Sequence, residues 1–190
     1  MVLNIVILAG GKGTRIKTVL KDTPKIMANI AGKPFLEWLL VWIDSWKLEI
    51  PKKILLSTCI GHNTIKDYCD KKNIQVDCIS EKKPLGTFGA LANVASTNIS
   101  NEYLVLNGDT IFKANFKKIY QKFKNNIEKK PLLILKESLK NSRYGGYEKI
   151  DGSWVFAQNN TDFISLGSFF ITYEDLKERW ALSTNVPFNK

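Results

Sequence analysis

Histidine is nearly absent. His62 is the only one in 190 residues, and nothing near it in the chain supplies a catalytic partner, so it reads as a solvated loop residue. Cysteine is sparse and odd in number: Cys59, Cys69 and Cys78 form no C-x-x-C pair, and neither a disulfide framework nor a zinc site is indicated. No apolar run approaches the length of a membrane span, and the first residues lack the basic region and cleavage site of a signal peptide. A reducing cytoplasm is the expected compartment. Arginine occurs only at Arg15, Arg143 and Arg179, so the formal charge of +10 rests on scattered lysines. Without an arginine-rich run or an interleaved aromatic–basic segment, that charge does not indicate a nucleic-acid partner. It reads as solvated surface that raises the local concentration of small anionic substrates. Repeats, low-complexity tracts and linkers are also missing. With 44% hydrophobic and 24% charged residues, the chain has the composition of an ordinary globule and enough length for one domain with an ample core.

What is present is concentrated at residues 7–25, ILAGGKGTRIKTVLKDTPK. An apolar run from Val2 to Ala9, broken only by Asn4, empties into Gly10, Gly11 and Gly13. A strand ending in a glycine loop leaves backbone N–H groups free to wrap phosphate oxygens. Glycine permits positive φ and the close approach of an anion. Thr14 and Arg15 follow, then Lys25; a guanidinium fork and a point charge both suit a polyphosphate. The spacing matches neither G-x-x-x-x-G-K-[ST] nor G-x-G-x-x-G. A purely structural turn would need the glycines but not Arg15 or the Pro24-Lys25 pair beyond it. The ligand expected here is a nucleoside triphosphate.

Strand-like runs at about 2–9, 53–59, 74–80, 102–107 and 131–136 alternate with helical segments, which predicts a parallel sheet of βαβ units with helices on both faces. Residues 34–47 hold Phe35, Leu36, Trp38, Leu39, Leu40, Trp42, Ile43 and Trp46. This segment is apolar nearly all round and reads as a buried helix, or else as a subunit contact of a homodimer. Residues 61–72 read as a surface helix. Tyr147–Ile150 and Trp154–Phe156 flank Asp151-Gly152 as a hairpin, and Ile164–Thr172 as a returning strand.

Residues 7–25 resemble the LAGGxGTR…PK opening of the sugar-1-phosphate nucleotidyltransferases. Three further segments are similar to that family's motifs in the same order: residues 84–91 (PLGTFGAL), residues 104–110 (LVLNGDT) and residues 143–145 (RYG). Residues 21–37 nearly read the KDxPKPMxxxxGKPFLE of the heptose-1-phosphate guanylyltransferase subgroup. The resemblance covers about residues 2–172. It implies an α/β fold, a Rossmann-like three-layer α/β/α arrangement around a mostly parallel sheet, with a small β-hairpin region for the sugar. The nucleotide part would span about 1–112 and the sugar part about 113–190.

The implied reaction is attack of a sugar 1-phosphate oxygen on the α-phosphorus of a nucleoside triphosphate, releasing pyrophosphate. The nucleophile is already ionised, so alignment and charge neutralisation carry the rate. The resemblance implies Arg15, Lys25 and Asp109 as the catalytic groups. Arg15 would draw on the leaving pyrophosphate, and Lys25 would sit between the reacting phosphates. Leu8, Ala9, Gly10, Gly11, Gly13, Thr14, Pro84, Gly86 and Thr87 would line the nucleotide. Asp109 follows an apolar strand, at the carboxyl edge where ligands of such sheets collect, and is the expected ligand of Mg²⁺. Glu81 stands where the family reads the base edge. Its paired acceptors would suit the adjacent N1–H and N2–H₂ of guanine and so favour GTP, but it could equally be a surface glutamate paired with Lys82 or Lys83. Tyr144 and Gly145 would contact the sugar; Asn107 would assist, or serve a buried structural role.

Two departures stand out. Residues 157–160 read AQNN where the family presents a Glu-Lys pair for the sugar and its phosphate. The chain also ends at Lys190, short of the segment that supplies a second metal-binding aspartate. Three functions therefore remain: an active transferase making a nucleotide-activated sugar for surface polysaccharide, a degenerate or truncated non-catalytic binder, and transfer to a different phosphorylated acceptor.

Overall fold

A computed structural model describes residues 2–11, 20, 23–128, 130–138, 146–158 and 161–183, without the side chains of 182 and 183. The central strand is β1 (Leu3–Leu8), whose side chains are shielded on both faces, which explains its nearly unbroken apolar run. Its one polar member, Asn4, donates through Nδ2 to the Asn98 carbonyl at 2.9 Å. A 3₁₀ turn (Lys25–Met27) and a two-residue ribbon, β2 (Asn29–Ile30) with β3 (Lys33–Pro34), lead to α1 (Phe35–Ser45). Then follow β4 (Lys52–Thr58), α2 (His62–Lys71), β5 (Asp77–Ser80), α3 (Gly86–Thr97), β6 (Glu102–Asn107) and α4 (Phe116–Lys124). The remainder is β7 (Leu132–Glu137), β8 (Gly146–Ile150), β9 (Ser153–Ala157), β10 (Phe163–Thr172) and α5 (Tyr173–Ser183).

The main sheet runs β5-β4-β1-β6-β10-β8-β9, with β7 along the opposite edge of β10, paired from Phe163 to Phe170. The first four strands are parallel. Ile5, Ile7, Leu56 and Leu104 pack against α1, α2 and α4 on one face, while Val6, Leu55 and Val105 pack against α3 and α5 on the other. This is the expected three-layer, mostly parallel arrangement. Strand 131–136, expected among the parallel members, instead pairs antiparallel with β10, which is itself antiparallel to β6. Apolar periodicity marks a strand but carries no information on its direction. The hairpin falls where expected. Asp151 and Gly152 have φ of 47° and 81°, the paired positive values of a type I′ turn.

The segment expected to be buried all round is buried on one side. In α1, Leu36, Leu39 and Ile43 are at most 1% exposed, whereas Val41 is 61% and Trp38 37% exposed. A helix in an outer layer meets the sheet with one face only. Trp42 and Trp46 turn back into the chain, where Trp46 stacks on Phe116 at 3.6 Å and Trp42 meets Phe112 edge-on. The Trp38 indole N–H donates to the Ile30 carbonyl. His62 also differs from expectation: it opens α2, half-buried, with Nδ1 2.8 Å from the Thr58 hydroxyl. Among the described residues no helix is long and apolar enough to cross a membrane.

Two glycines of the hairpin are constrained differently, and this yields a test. A Cβ on Gly146 would lie 2.0 Å from the Phe163 carbonyl oxygen, whereas one on Gly152 would meet nothing within 4 Å. Gly152→Ala then suffers only its positive φ, about 1 kcal/mol. Gly146→Ala must push two paired backbones apart, at roughly 3 kcal/mol. Urea unfolding should separate the two midpoints in that order at an unchanged slope.

Candidate active site

The carboxyl ends of β4, β1 and β6 lie level, with Leu8 flanked by Ser57 on one side and Asn107 on the other. As the chain leaves β1, the Ala9 N–H donates to the Ser57 carbonyl at 2.8 Å, and the Gly108 N–H donates back to Leu8 at 3.0 Å. A cleft of about 330 Å³ opens at this edge. It is lined by the predicted Leu8, Ala9, Gly10, Gly11, Lys25, Glu81, Pro84, Gly86, Thr87, Asn107 and Asp109. Residues more than 80 positions apart in sequence therefore share one wall. Gly13, Thr14, Arg15, Tyr144 and Gly145 lie outside the described residues, as does Arg143.

The glycines do not act quite as expected. Neither Gly10 nor Gly11 has a positive φ. Gly10 sits in a tight space instead: a Cβ there would lie 3.1 Å from Glu81 Oε1 and 3.2 Å from the Cys59 Cβ. Among the described residues nothing accepts from the Gly10 or Gly11 amide. Positive φ appears instead at Gly86 (72°), the first residue of α3, where an added Cβ would meet nothing within 4 Å.

Lys25 and Asp109 meet directly, Nζ to Oδ2 at 2.6 Å, with each side chain a little over one-third exposed. The Thr110 hydroxyl donates to the other oxygen at 3.0 Å. Burial pushes the Asp109 carboxyl up, but the hydrogen bonds from Lys25 and Thr110 and the Lys25 charge outweigh it and hold the group below its ordinary value. Lys25 is placed by its neighbours: Pro24 and Ile26 are both buried. Pro24 packs on Gly61 so closely that a Cβ on that glycine, which also has φ 73°, would lie 2.1 Å from the proline Cγ.

Glu81 is not a surface residue paired with Lys82 or Lys83. It is 7% exposed, its Oε1 accepts from the Ser57 hydroxyl at 2.7 Å, and its Oε2 accepts from the Leu85 N–H at 3.1 Å. Asn107 lies half-buried, its side chain pressed against Gly167 so that a Cβ there would come within 1.8 Å of Nδ2. Gly167 (φ 66°) sits in a bulge of β10 between Ser165 and Ser168. Sequence reasoning missed Ser57, Ala90, Gly108 and Gly167. The Leu-Gly-Ser at 166–168, interrupting an apolar strand, was the available signal for the last, since glycine within a strand pattern marks a bulge.

Comparison with known proteins gives the class: the chain belongs to the nucleotidyl transferase family, whose family model matches residues 4–157. Within that class it is similar to the D-glycero-alpha-D-manno-heptose 1-phosphate guanylyltransferase of Campylobacter jejuni. The two are 32% identical over 99% of this chain and 84% of the relative. The enzyme of the same description from Aneurinibacillus thermoaerophilus is 30% identical over 75% of this chain, which spans 61% of that relative's length. Among solved structures, HddC from Yersinia pseudotuberculosis complexed with GMP-PN superposes with a TM-score of 0.75 at 30% identity. The match covers 90% of this chain and 77% of that one.

The lowered Asp109 pKa makes a linkage prediction. A carboxyl whose folded pKa lies below its unfolded value near 3.8 adds stability above that value and loses it as pH falls through the folded pKa. Urea unfolding between pH 7 and pH 2.5 should show wild type losing more stability below about pH 4 than Asp109→Asn, which has no carboxyl to protonate.

Proposed function

We propose that the chain transfers a guanylyl group from GTP to a heptose-type sugar 1-phosphate, giving a GDP-sugar for surface polysaccharide assembly. The observation that carries this reading is the cleft itself, with a buried carboxylate at one end, a lysine–carboxylate pair at the other and glycine backbone between. Both relatives named above as heptose 1-phosphate guanylyltransferases, and HddC with its guanine nucleotide, support it. A sugar phosphate oxygen bonds to the α-phosphorus, the bond from that phosphorus to the bridging oxygen breaks, and the electron pair leaves with pyrophosphate.

The free amides of Gly10 and Gly11 face the phosphate chain and cost no reorganisation when charge develops. Lys25, now on Asp109, offsets repulsion between the two reacting phosphates once a triphosphate offers it further oxygens. Arg15 takes the leaving pyrophosphate in this scheme, on the strength of the motif. Asp109, with Asn107 beside it, fits a hard cation that draws most of its ligands from water and phosphate. Among the described residues no group of three or more His, Cys, Asp or Glu forms a closed metal cage. Bound there, Mg²⁺ would neutralise triphosphate charge. Glu81 receives the N1–H and N2–H₂ edge of guanine. Tyr144 and Gly145 complete the sugar side.

Ala157 and Gln158 at the end of β9 favour a second reading, a non-catalytic binder, since the family's sugar-binding Glu-Lys pair is missing there. Pyrophosphate release measured with GTP, Mg²⁺ and a panel of sugar 1-phosphates decides between them. Turnover is expected with a heptose 1-phosphate, and Arg15→Ala or Lys25→Ala should each lose about 3 kcal/mol of transition-state stabilisation, on the order of 10²-fold in kcat/KM. GTP binding with no turnover on any acceptor would establish the second reading.

A further inference from the structure

Glu81 continues the β4–β5 pairing by one residue, its N–H donating to the Thr58 carbonyl at 2.7 Å. Its side chain then folds back over the end of β4 rather than out to solvent. One protein donor reaches each oxygen, the Ser57 hydroxyl on Oε1 and the Leu85 N–H on Oε2, and among the described residues no cation touches either. A carboxylate has about four acceptor positions, so each oxygen keeps capacity for a ligand. Gly10 leaves that side open, because any side chain there would stand against Oε1. Ser57 itself is 0% exposed and holds two things at once: its carbonyl accepts from the Ala9 N–H and its hydroxyl donates to Glu81.

We propose that Ser57 is the residue that sets base selectivity, a positioning residue whose hydroxyl fixes the Glu81 carboxylate with both oxygens presented to one purine edge. The proposal rests on the guanylyltransferase reading and adds its specificity device. The terminal torsion of a glutamate is broad, so an untethered carboxylate turns freely and presents its oxygens at no fixed angle. The Leu85 amide constrains one oxygen; the second point that stops rotation is Ser57. A site built around two fixed acceptors penalises a nucleotide that lacks one of the matching donors, because a buried acceptor is then left unpaired.

The test compares GTP with ITP, which lacks only the 2-amino group, in steady-state turnover and in direct binding of GDP and IDP. Wild type should favour the guanine nucleotide by about 10-fold or more. In Ser57→Ala the KM for GTP should rise about 10-fold, that for ITP should rise far less, and the preference should collapse, with the effect in KM rather than kcat. Ser57→Thr keeps the hydroxyl and should retain the preference. Ser57→Cys keeps the volume with a weak donor, should behave as Ser57→Ala, and replaces it if the alanine variant fails to fold. An unchanged GTP:ITP ratio in a folded Ser57→Ala or Ser57→Cys overturns the proposal. An equal fall in kcat for both nucleotides also overturns it, marking Ser57 as structural. If wild type and Glu81→Gln alike fail to distinguish GTP from ITP, the guanine reading falls first, and this proposal with it.

Discussion

The register of β1 between its two parallel neighbours is the constraint on which the rest depends. Leu8 is level with Ser57 on β4 and with Asn107 on β6, so three strands end in one row. The row is locked by the Ala9–Ser57 and Gly108–Leu8 hydrogen bonds and by the contact of β6 on β1, where a Cβ at position 108 would stand 2.6 Å from the Leu8 oxygen. Gly10 and Gly11 follow directly from that row, with Glu81 reached through Ser57 on one side and Asp109 on the other. A slip of one residue in either pairing would send each side chain to the opposite face and separate these groups. The apolar content of β1 therefore does more than fill the core; burial on both faces removes the alternative registers.

The two acidic groups of the cleft are held in physically different ways. Asp109 and Lys25 form an ion pair that is more than one-third exposed, and such pairs add little to stability and exchange partners readily. Glu81 is enclosed, and each of its oxygens accepts from one neutral donor, the Ser57 hydroxyl or the Leu85 N–H. In the proposed reaction, an exchangeable pair would suit the end where charge changes, and a preorganised acceptor the end where only shape and hydrogen bonding are read. Lys25 keeps this freedom because only its head is loose; Pro24 against Gly61 and Ile26 in the core fix its backbone.

The part of the chain around the cleft was readable in sequence because its signals are local. A strand running into glycines, the Pro24-Lys25 pair and the Asn107-Gly108-Asp109 strand end each state a conformation and a chemistry within a few residues. What escaped is what depends on partners distant in the chain. At Glu81 the base-edge and surface readings stood level beside Lys82 and Lys83; its burial against Ser57, 24 positions earlier, removes the surface one. The apolar segment at 34–47 has the composition of an enclosed helix, yet one face of α1 meets the sheet while Val41 faces water. His62 is a different case: its partner Thr58 is only four positions earlier, but the two meet only because the chain turns from β4 into α2. Strand direction at β7 was invisible because alternation is common to parallel and antiparallel pairing.

The switch from parallel to antiparallel at β10 has its own physical sense. Parallel strands need helices on both faces, which fixes the β5-β4-β1-β6 part in three layers. Antiparallel strands can leave a face uncovered, and the β8–β9 hairpin does so, with Trp154 and Phe156 at 51% and 61% exposure. The two regimes meet at the bulge of β10, where Gly167 accepts the Asn107 side chain against its bare Cα. That contact couples the outermost residue of β6 to the strand leading towards the hairpin. The β8–β9 hairpin is thereby tied, through β10, to the row of strand ends that borders the cleft.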